Sequence, residues 1–270
     1  MTSGENGKLR IGQIREQLGP DAQLQYLESV DSTNSWARRE FVNGAPDGTV
    51  YLADYQSAGR GRRGHSWESP EYTSVSMSLL LRPQTEPQNL PMLTLVMGMA
   101  AAEGMRRRGG VNAVIKWPND VVCRGRKLCG ILTELVQDPE AGQAVIIGIG
   151  MNVNVPVFPQ ELEDKATSLL LETGHIVSRE QVTADVLQAF GAYYRIFRET
   201  GDMSVLISRY TELLATRDCE VRVLDQAGSY EGYALGVNAK GELLVRRKDS
   251  GTVEEVRAGE VSVRGMLGYA

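Results

Sequence analysis

Alternating apolar and polar positions predict seven β-strands between residues 24 and 152 of this chain. In some runs every second residue is apolar, and others are apolar throughout, with Gly, Pro or Asp residues beside them. The predicted strands cover residues 24–30, 49–55, 75–81, 111–117, 120–123, 127–136 and 144–152. Short turns connect the last four, so we predict a mixed, mostly antiparallel sheet.

Apolar residues spaced three and four apart predict helices that flank this sheet. The polar side chains of residues 31–34 can cap the second helix, and Ser178 with Gln181 forms a capping box at the start of the fourth. The predicted helices cover residues 8–19, 31–41, 90–108, 178–200 and 203–215. Sheet and helices together predict an α+β fold.

From residue 218 onward the pattern changes to short β-rich runs at hairpin spacing, with Gly228, Gly241 and Gly251 as turn residues. The runs cover residues 220–224, 230–237, 242–247, 252–257 and 260–264. They predict a small β-barrel of about 50 residues. With a length of 270 residues, we expect two domains, residues 1–217 and 218–270.

Charge and composition argue against several classes of protein. The formal net charge is −5 and the pI is near 5.3, unlike proteins that coat nucleic acid. Three cysteines and two histidines lack metal-ligand or disulfide spacing, so no metal-binding residue is assigned. The longest apolar stretch, about residues 90–102, is too short to span a bilayer, and no signal core is present. We expect a cytoplasmic protein that binds neither nucleic acid nor membrane.

Glycine and arginine alternate in residues 56–67, called the Gly–Arg loop below, and this segment most constrains function. Glycines disfavour a regular helix or strand, so we predict a mobile loop that closes over a ligand. Guanidinium groups suit carboxylate or phosphate oxygens. The residues concerned are Gly59, Gly61 and Gly64, and Arg60, Arg62 and Arg63. A solvated basic loop or an RNA contact would account for the same composition.

Three polar motifs interrupt the predicted strands further along. The Lys-Trp-Pro-Asn-Asp segment at residues 116–120 lies between two apolar strands, where an ordinary turn is the simpler interpretation. Lys127 begins a strand in which Gly130 indicates the close approach of a ligand or of another backbone. Residues 148–154 combine glycines with two amides, which suits either a bulge and turn or a site for a planar base.

In order and spacing, these motifs resemble those of the biotin protein ligases. The matching residues are Ser32, Thr33 and Asn34, then Gln56, the Gly–Arg loop with Trp67, residues 116–120, Lys127 with Gly130, and Gly150-Met151-Asn152. The resemblance covers about residues 24–266. It implies the α+β fold shared by class II aminoacyl-tRNA synthetases and biotin ligases, with an SH3-like β-barrel at the C-terminal end.

The resemblance also implies an activity: biotin and ATP form biotinyl-5′-adenylate and pyrophosphate, and the biotinyl group then passes to a lysine of a biotin carboxyl carrier protein domain. The nucleophile of the first step is the carboxylate of biotin, so the protein must chiefly supply cations and N–H donors. Mg²⁺ is expected to bridge ATP phosphates. The helix-turn-helix of repressor-type relatives needs about 55–60 residues, more than precede residue 31, so we expect no DNA-binding function.

By similarity, the residues expected to act in catalysis are Lys116, Asp120, Arg62 and Lys127, with Asp120 positioning or deprotonating the carrier lysine. The residues expected to bind biotin or ATP are Ser32, Thr33, Asn34, Gln56, Gly59, Arg60, Gly61, Arg62, Arg63, Gly64, Trp67, Lys116, Trp117, Asn119, Lys127, Gly130 and Asn152. Ser32, Thr33, Asn34 and Gln56 match biotin head-group positions, Asn152 matches a position near adenine, and Trp117 matches one that stacks in the nucleotide region.

One departure and several alternatives accompany this interpretation. Many relatives carry a second basic residue before the tryptophan, whereas this chain has His65-Ser66, which predicts a weaker hold on the adenylate. A lipoate ligase is the nearest alternative enzyme, although a site rich in Ser, Thr, Asn and Gln suits the urea of biotin better. A non-catalytic biotin or nucleotide sensor and an RNA-binding protein are the alternatives from other classes. We expect a monomer or homodimer.

Overall fold

A large mixed sheet forms the centre of the protein, whose computed structural model describes residues 7–225, 228–258 and 262–265. Its seven strands lie in the order β1-β2-β3-β7-β6-β5-β4. They are β1 (Leu24–Val30), β2 (Val50–Gln56), β3 (Val75–Leu81), β4 (Val114–Lys116), β5 (Asp120–Cys123), β6 (Arg126–Asp138) and β7 (Gly142–Met151). β1 and β2 pair in parallel and the other neighbours pair antiparallel, which confirms the predicted mixed sheet.

Helices cover both faces of this sheet. They are α1 (Ile11–Leu18), α2 (Thr33–Val42), α3 (Leu93–Gly109), α4 (Leu169–Thr173), α5 (Arg179–Thr200) and α6 (Ile207–Leu213). The buried residues of α1, α3 and α5 share one apolar core with one face of the sheet, and those of α2 pack on the other face. Because α2 packs mainly against β2, β3 and β7, the same face of β4, β5 and β6 is less covered.

Three predicted elements need correction. The strand predicted at 111–117 is shorter because residues 111–113 form a tight turn, in which the Ala113 N–H donates to the Val111 oxygen at 3.0 Å. Helix α3 begins after residue 90 because Pro87–Met92 form a 3-10 turn. Helix α6 is shorter than 203–215 because residues 203–206 form a turn, in which the Leu206 N–H donates to the Met203 oxygen at 2.8 Å and the Met203 N–H donates to the Ala239 oxygen at 2.8 Å. Helix α4 was not predicted.

A second, five-stranded antiparallel sheet follows α6, in the order β11-β10-β9-β8-β12. Its strands are β8 (Glu220–Asp225), β9 (Gly228–Val237), β10 (Leu243–Arg247), β11 (Val253–Val256) and β12 (Ser262–Gly265). The run predicted at 260–264 lies partly outside the described residues. Buried residues of this sheet belong to the same apolar core as the large sheet. The division into domains 1–217 and 218–270 stays a prediction.

Candidate active site

One transverse row of residues forms the floor of a cleft on the face of the large sheet that α2 partly covers. The strand register places Lys116, Asp120, Gly130, Gly150 and Ser76 opposite one another on five neighbouring strands. Residues that lie directly opposite in antiparallel pairs point to the same face. Because the two glycines have no side chains, the middle of this row is a depression, with polar side chains on either side.

Helix α2 and the Gly–Arg loop enclose the space above this row. The cleft is lined by Ser32, Thr33, Asn34, Gln56, Arg60, Gly61, Arg62, Trp67, Asn119, Lys127, Gly130, Ile131, Leu132, Gly148, Ile149 and Gly150. Eleven of these sixteen are residues for which the sequence predicted a binding or catalytic role. The structure therefore brings together motifs that are more than a hundred positions apart in the chain.

A buried network of neutral polar groups lines one end of the cleft. Gln56 Oε1 accepts hydrogen bonds from the Thr33 N–H at 2.8 Å and the Thr33 hydroxyl at 3.1 Å. The Ser78 hydroxyl lies 2.8 Å from Thr33 Oγ1 and 2.5 Å from Asn34 Oδ1. Ser32, Thr33 and Asn34 are all buried. Such an arrangement of donors and acceptors suits a polar, uncharged ligand group.

The start of α2 explains why these side chains face the cleft. Ser32 occupies the N-cap position with extended backbone, but its side chain makes no capping hydrogen bond. The Thr33 N–H, one of the unpaired amides of the first turn, is satisfied instead by Gln56 from β2. The prediction that residues 31–34 cap their own helix is therefore wrong for Ser32, because a residue from a neighbouring strand takes that role.

Charged groups line the other end of the cleft. Lys127 Nζ lies 2.7 Å from Asp120 Oδ1 in a mostly buried ion pair. Asn119 Nδ2 donates to the same Asp120 oxygen at 3.0 Å, and Asn119 Oδ1 accepts from Arg62 Nη1 at 2.7 Å. Burial and the nearby Arg63 lower the pKa of Arg62, and Asp120 opposes them. Because Arg62 is bonded to a neutral amide here, an anion in the cleft would gain a charged partner.

The Gly–Arg loop folds into a small turn over the cleft. The Trp67 N–H donates to the Gly59 oxygen at 2.9 Å, and Arg60 and Ser66 form an antiparallel bridge. A Cβ atom at Gly59 would lie 2.2 Å from the Trp67 carbonyl oxygen, so only glycine fits there. Arg63 has a φ of 55°, in the left-handed region. The predicted mobility of this loop stays a prediction.

The Trp67 side chain covers the low part of the floor. A Cβ atom at Gly150 would lie 2.3 Å from Trp67 Cε2, and one at Gly130 would lie 2.9 Å from Cζ3. Lys127 Nζ is 5.5 Å from the centroid of the Trp67 ring. Trp67 Nε1 is buried and has no hydrogen-bond partner among the residues that the structure describes. Glycine at positions 130 and 150 therefore lets an aromatic ring lie flat on the sheet.

Other predicted site residues lie outside the lining of the cleft. Arg63 and Gly64 are exposed. Asn152 is buried, and its Nδ2 atom lies 3.5 Å from the backbone oxygen of Lys127. Trp117 is only 3% exposed, and its Nε1 donates to the Gly241 oxygen at 3.0 Å. The predicted stacking of Trp117 in the nucleotide region stays a prediction, and in this structure the ring packs in the protein interior.

Three polar residues of the site were not predicted from sequence. Ser76 and Ser78 alternate with apolar residues on β3, and this alternation indicates a polar face as well as a strand. Glu134 interrupts the apolar strand β6 and contacts Asn34 and Arg60. An acidic residue in such a strand signals a special environment but does not reveal its partners.

Comparison with solved structures gives the class of protein to which this fold and cleft belong. Biotin protein ligase from Aquifex aeolicus in complex with biotin and ATP superposes with a TM-score of 0.80 and 32% identity, over 90% of this chain and 99% of that one. The shared fold includes the mixed sheet and the small C-terminal sheet. The architecture is therefore that of the biotin protein ligases.

Sequence comparison identifies the family to which the chain belongs. Residues 26–152 match the Biotin/lipoate A/B protein ligase family. The chain is 38% identical over 250 residues to the bifunctional ligase/repressor BirA of Bacillus subtilis, covering 90% of this chain and 76% of that protein. It is 31% identical over 245 residues to the biotin--[acetyl-CoA-carboxylase] ligase of Mycobacterium tuberculosis, covering 88% of each. The chain belongs to the biotin/lipoate A/B protein ligase family.

Proposed function

We propose that this protein is an ATP-dependent biotin protein ligase, which forms biotinyl-5′-adenylate and transfers the biotinyl group to a lysine of a carrier domain. The single observation that carries the proposal is the juxtaposition of two sites in one cleft. The neutral network around Thr33 and Gln56 suits the urea of biotin, and the cations Arg62 and Lys127 suit a carboxylate and a phosphate. The relatives' names and the biotin and ATP complex support it.

In the first step, a carboxylate oxygen of biotin attacks the α-phosphorus of ATP. A new C–O–P linkage forms, the bond from the α-phosphorus to the bridging oxygen breaks, and pyrophosphate leaves. Negative charge grows on the phosphate oxygens, and we assign its stabilisation to Arg62 and Lys127, which both line the cleft. Lys127 is held by Asp120 at 2.7 Å, so little reorganisation is needed during the reaction.

In the second step, the amine of a carrier lysine attacks the acyl carbon and AMP leaves. A lysine with an ordinary pKa near 10.4 must lose a proton before it can attack. Asp120 lies in the floor row beside Gly130, and we assign to it the positioning or deprotonation of that lysine. We infer that the carrier is a biotin carboxyl carrier protein domain, and the name of the Mycobacterium tuberculosis relative, which gives acetyl-CoA carboxylase as the substrate of that protein, supports this.

Magnesium enters this proposal as an ion carried by ATP. Among residues 7–225 and 228–258, no group of three or more His, Cys, Asp or Glu side chains is arranged to hold a metal. The cleft carboxylates, Asp120 and Glu134, are already paired with Lys127 and Arg60. Mg²⁺ often binds through substrate oxygens and few protein ligands. We therefore assign no residue to the ion and derive no step through it.

The decisive experiment is exchange of labelled pyrophosphate into ATP by the purified protein, with and without biotin. Exchange that depends on biotin is expected, followed by labelling of a carrier domain when one is added. Absence of exchange with biotin would contradict the proposal. Lipoate in the same assay tests the alternative enzyme of this family, since a protein that exchanges only with lipoate would be a lipoate ligase. Biotin binding without exchange would indicate a sensor.

The remaining expectations for partners and location accompany this proposal. Within the described part of the chain, no helix is both long enough and apolar enough to cross a membrane. We infer a cytoplasmic enzyme, monomeric or homodimeric, that binds no nucleic acid. A titration with RNA across a range of salt concentrations checks the last point, because nucleic-acid binding driven by the arginines would weaken steeply with salt.

A further inference from the structure

Glu134 joins the Gly–Arg loop to the neutral end of the cleft. Its Oε2 atom accepts hydrogen bonds from Arg60 Nη2 at 2.7 Å and from Asn34 Nδ2 at 2.8 Å. Its Oε1 atom lies 3.5 Å from Arg38 Nη2. One carboxylate on β6 therefore contacts both the loop that covers the cleft and the helix that lines it.

The Glu134 side chain lies among buried apolar residues. The register pairs it with the buried Ile146, and Val136, two positions further on the same face, is also buried. The Glu134 side chain is 19% exposed. A carboxylate that is largely removed from water depends on its donors more than an exposed one does. Arg60 itself is 43% exposed, so Glu134 is the buried partner of this ion pair.

The arginines of the loop divide into two kinds because of Glu134. Arg60 is paired with a carboxylate, whereas Arg62 is bonded to the neutral amide of Asn119. We propose that Glu134 is a positioning residue: through Arg60 it fastens the Gly–Arg loop across the cleft, and through Asn34 it orients the neutral polar network. Arg62 is left to meet the anionic ligand.

The contact between Glu134 and Arg60 also fixes the position of Trp67 over the floor of the cleft. Arg60 and Ser66 form a bridge, and Gly59 and Trp67 are joined by a backbone hydrogen bond, so the two arms of the loop move as one unit. Release of Arg60 from Glu134 would free the Trp67 ring from the floor glycines. If the proposed function is right, the consequence is an adenylate that escapes before it meets the carrier, since the loop would no longer shield it.

Limited proteolysis of the full chain tests the fastening without any ligand. Trypsin can cleave after Arg62 and Arg63, and cleavage there reports how often the loop opens. We expect Glu134→Gln and Arg60→Gln each to speed this cleavage on the order of tenfold, and the double variant to be no faster than either. Arg38→Gln is the matched control, because Arg38 contacts the same carboxylate from α2, and it should cleave at the wild-type rate.

Two results would overturn the proposal. One is wild-type cleavage in both Glu134→Gln and Arg60→Gln, and the other is strictly multiplicative acceleration in the double variant, which would show independent effects. Circular dichroism and thermal melting identify a variant that does not fold. Should Glu134→Gln be such a variant, Arg60→Gln against Arg38→Gln still decides the question, because both arginines lie at the surface.

The rate of adenylate release connects the contact between Glu134 and Arg60 with the proposed reaction. In the presence of biotin and ATP but no carrier, Glu134→Gln and Arg60→Gln should release adenylate several-fold faster than wild type, measured as biotin attached to an added unrelated protein. Arg38→Gln, which contacts the same carboxylate but lies outside the cleft lining, should release adenylate at the wild-type rate and keep pyrophosphate exchange. If the wild-type protein shows no exchange at all, the proposed function fails, but the proteolysis result still decides the role of Glu134.

Discussion

Lys127 makes three kinds of contact, which together fix the direction of its side chain. Its Nζ atom pairs with Asp120 and faces the Trp67 ring, and its backbone oxygen accepts from the Thr167 N–H at 2.9 Å. The backbone contact on one side and the ion pair on the other restrict the side chain to one direction. Positioned charges of this kind stabilise a transition state better than mobile ones do.

Replacing Lys127 by alanine should reduce biotin-dependent pyrophosphate exchange by about 100- to 1000-fold, the usual effect of losing one group that stabilises developing charge. The melting temperature should fall only modestly, because Asp120 loses its ion-pair partner but keeps the hydrogen bond from Asn119. Lys165→Ala is the matched control, since Lys165 lies beside Lys127 with an exposed side chain. Wild-type exchange in the Lys127 variant would remove this residue from the site.

At the scale of whole elements, the packing of α3 against α5 holds the sheet face opposite the cleft. Gly104 on α3 makes this approach possible, because a Cβ atom there would lie 2.5 Å from Val186 Cγ2 and 2.9 Å from the Val186 nitrogen on α5. Gly98 on the same helix has its nearest neighbours at 3.8 Å, in ordinary contact. Glycine is therefore required at position 104 for the close packing of the two helices, whereas position 98 has room for a larger side chain.

These two positions predict opposite effects of the same substitution. Gly104→Ala should lower the free energy of unfolding by about 1–3 kcal/mol, because the added methyl meets backbone that cannot move aside. Gly98→Ala should be neutral or raise it by up to about 1 kcal/mol, because alanine favours the helix. Urea unfolding of both variants measures the difference. Equal effects would show that helix propensity, and not the contact with α5, decides the result.

The start of α5 also anchors the segment before α1. Ser178 caps the helix through the Gln181 N–H, as half of the predicted capping box, and Glu180 accepts from both the backbone and the side chain of Arg10. Burial raises the pKa of Glu180, but hydrogen bonds from Arg10, its own amide and Ser178 outweigh it and lower the pKa from 4.5 to about 2. The ionised form is therefore favoured by folding.

A lowered pKa in the folded state sets the direction of a pH effect. The contribution of Glu180 to stability, about 2 kcal/mol for hydrogen bonds to a charged group, is complete above pH about 4.5 and is lost as the pH falls towards about 2. Urea unfolding of wild type and Glu180→Gln between pH 3 and 7 should therefore show a difference that shrinks at the acidic end. Glu16→Gln, an exposed carboxylate on α1, is the control. A pH-independent difference would contradict this assignment.

At the scale of the whole molecule, Trp117 connects the large sheet to the C-terminal sheet. Its indole N–H donates to Gly241 in the turn between β9 and β10, and a Cβ atom at Gly241 would lie 2.9 Å from Leu95 on α3. Gly241 has a φ of 74°, so glycine is favoured for conformation as well as for space. The turn and the residue before Pro118 therefore hold the two sheets together close to the cleft.

Replacing Trp117 by phenylalanine separates this role from nucleotide binding. The loss of the N–H leaves a buried carbonyl without its donor, which should cost about 1–3 kcal/mol and lower the melting temperature. The KM for ATP in the exchange assay should stay near the wild-type value. A raised KM for ATP with unchanged stability would instead support stacking on the nucleotide. Trp36→Phe on α2 controls for the loss of an indole elsewhere.

Local pattern was enough to predict most of the elements. Period-two alternation located the strands of both sheets, and glycine with helix-end charges located the end of α3, where Gly110 adopts a φ of 62°. The prediction was wrong at residues 111–113, where the Arg106 side chain donates to the Ala113 oxygen at 2.6 Å, and at residues 203–206, where the Met203 N–H donates to the Ala239 oxygen in the turn between β9 and β10. Such competition comes from partners that a local pattern does not contain.

The sequence by itself determined the chemical groups of the cleft, because the order and spacing of the lysine, arginine and amide motifs carry the family resemblance. Only the tertiary structure decided their partners. It placed Gln56 as the cap of α2, Glu134 between loop and helix, and Trp117 in the junction of the sheets. The physical reason is that charge and shape are properties of a residue, whereas burial and pairing depend on which strands become neighbours.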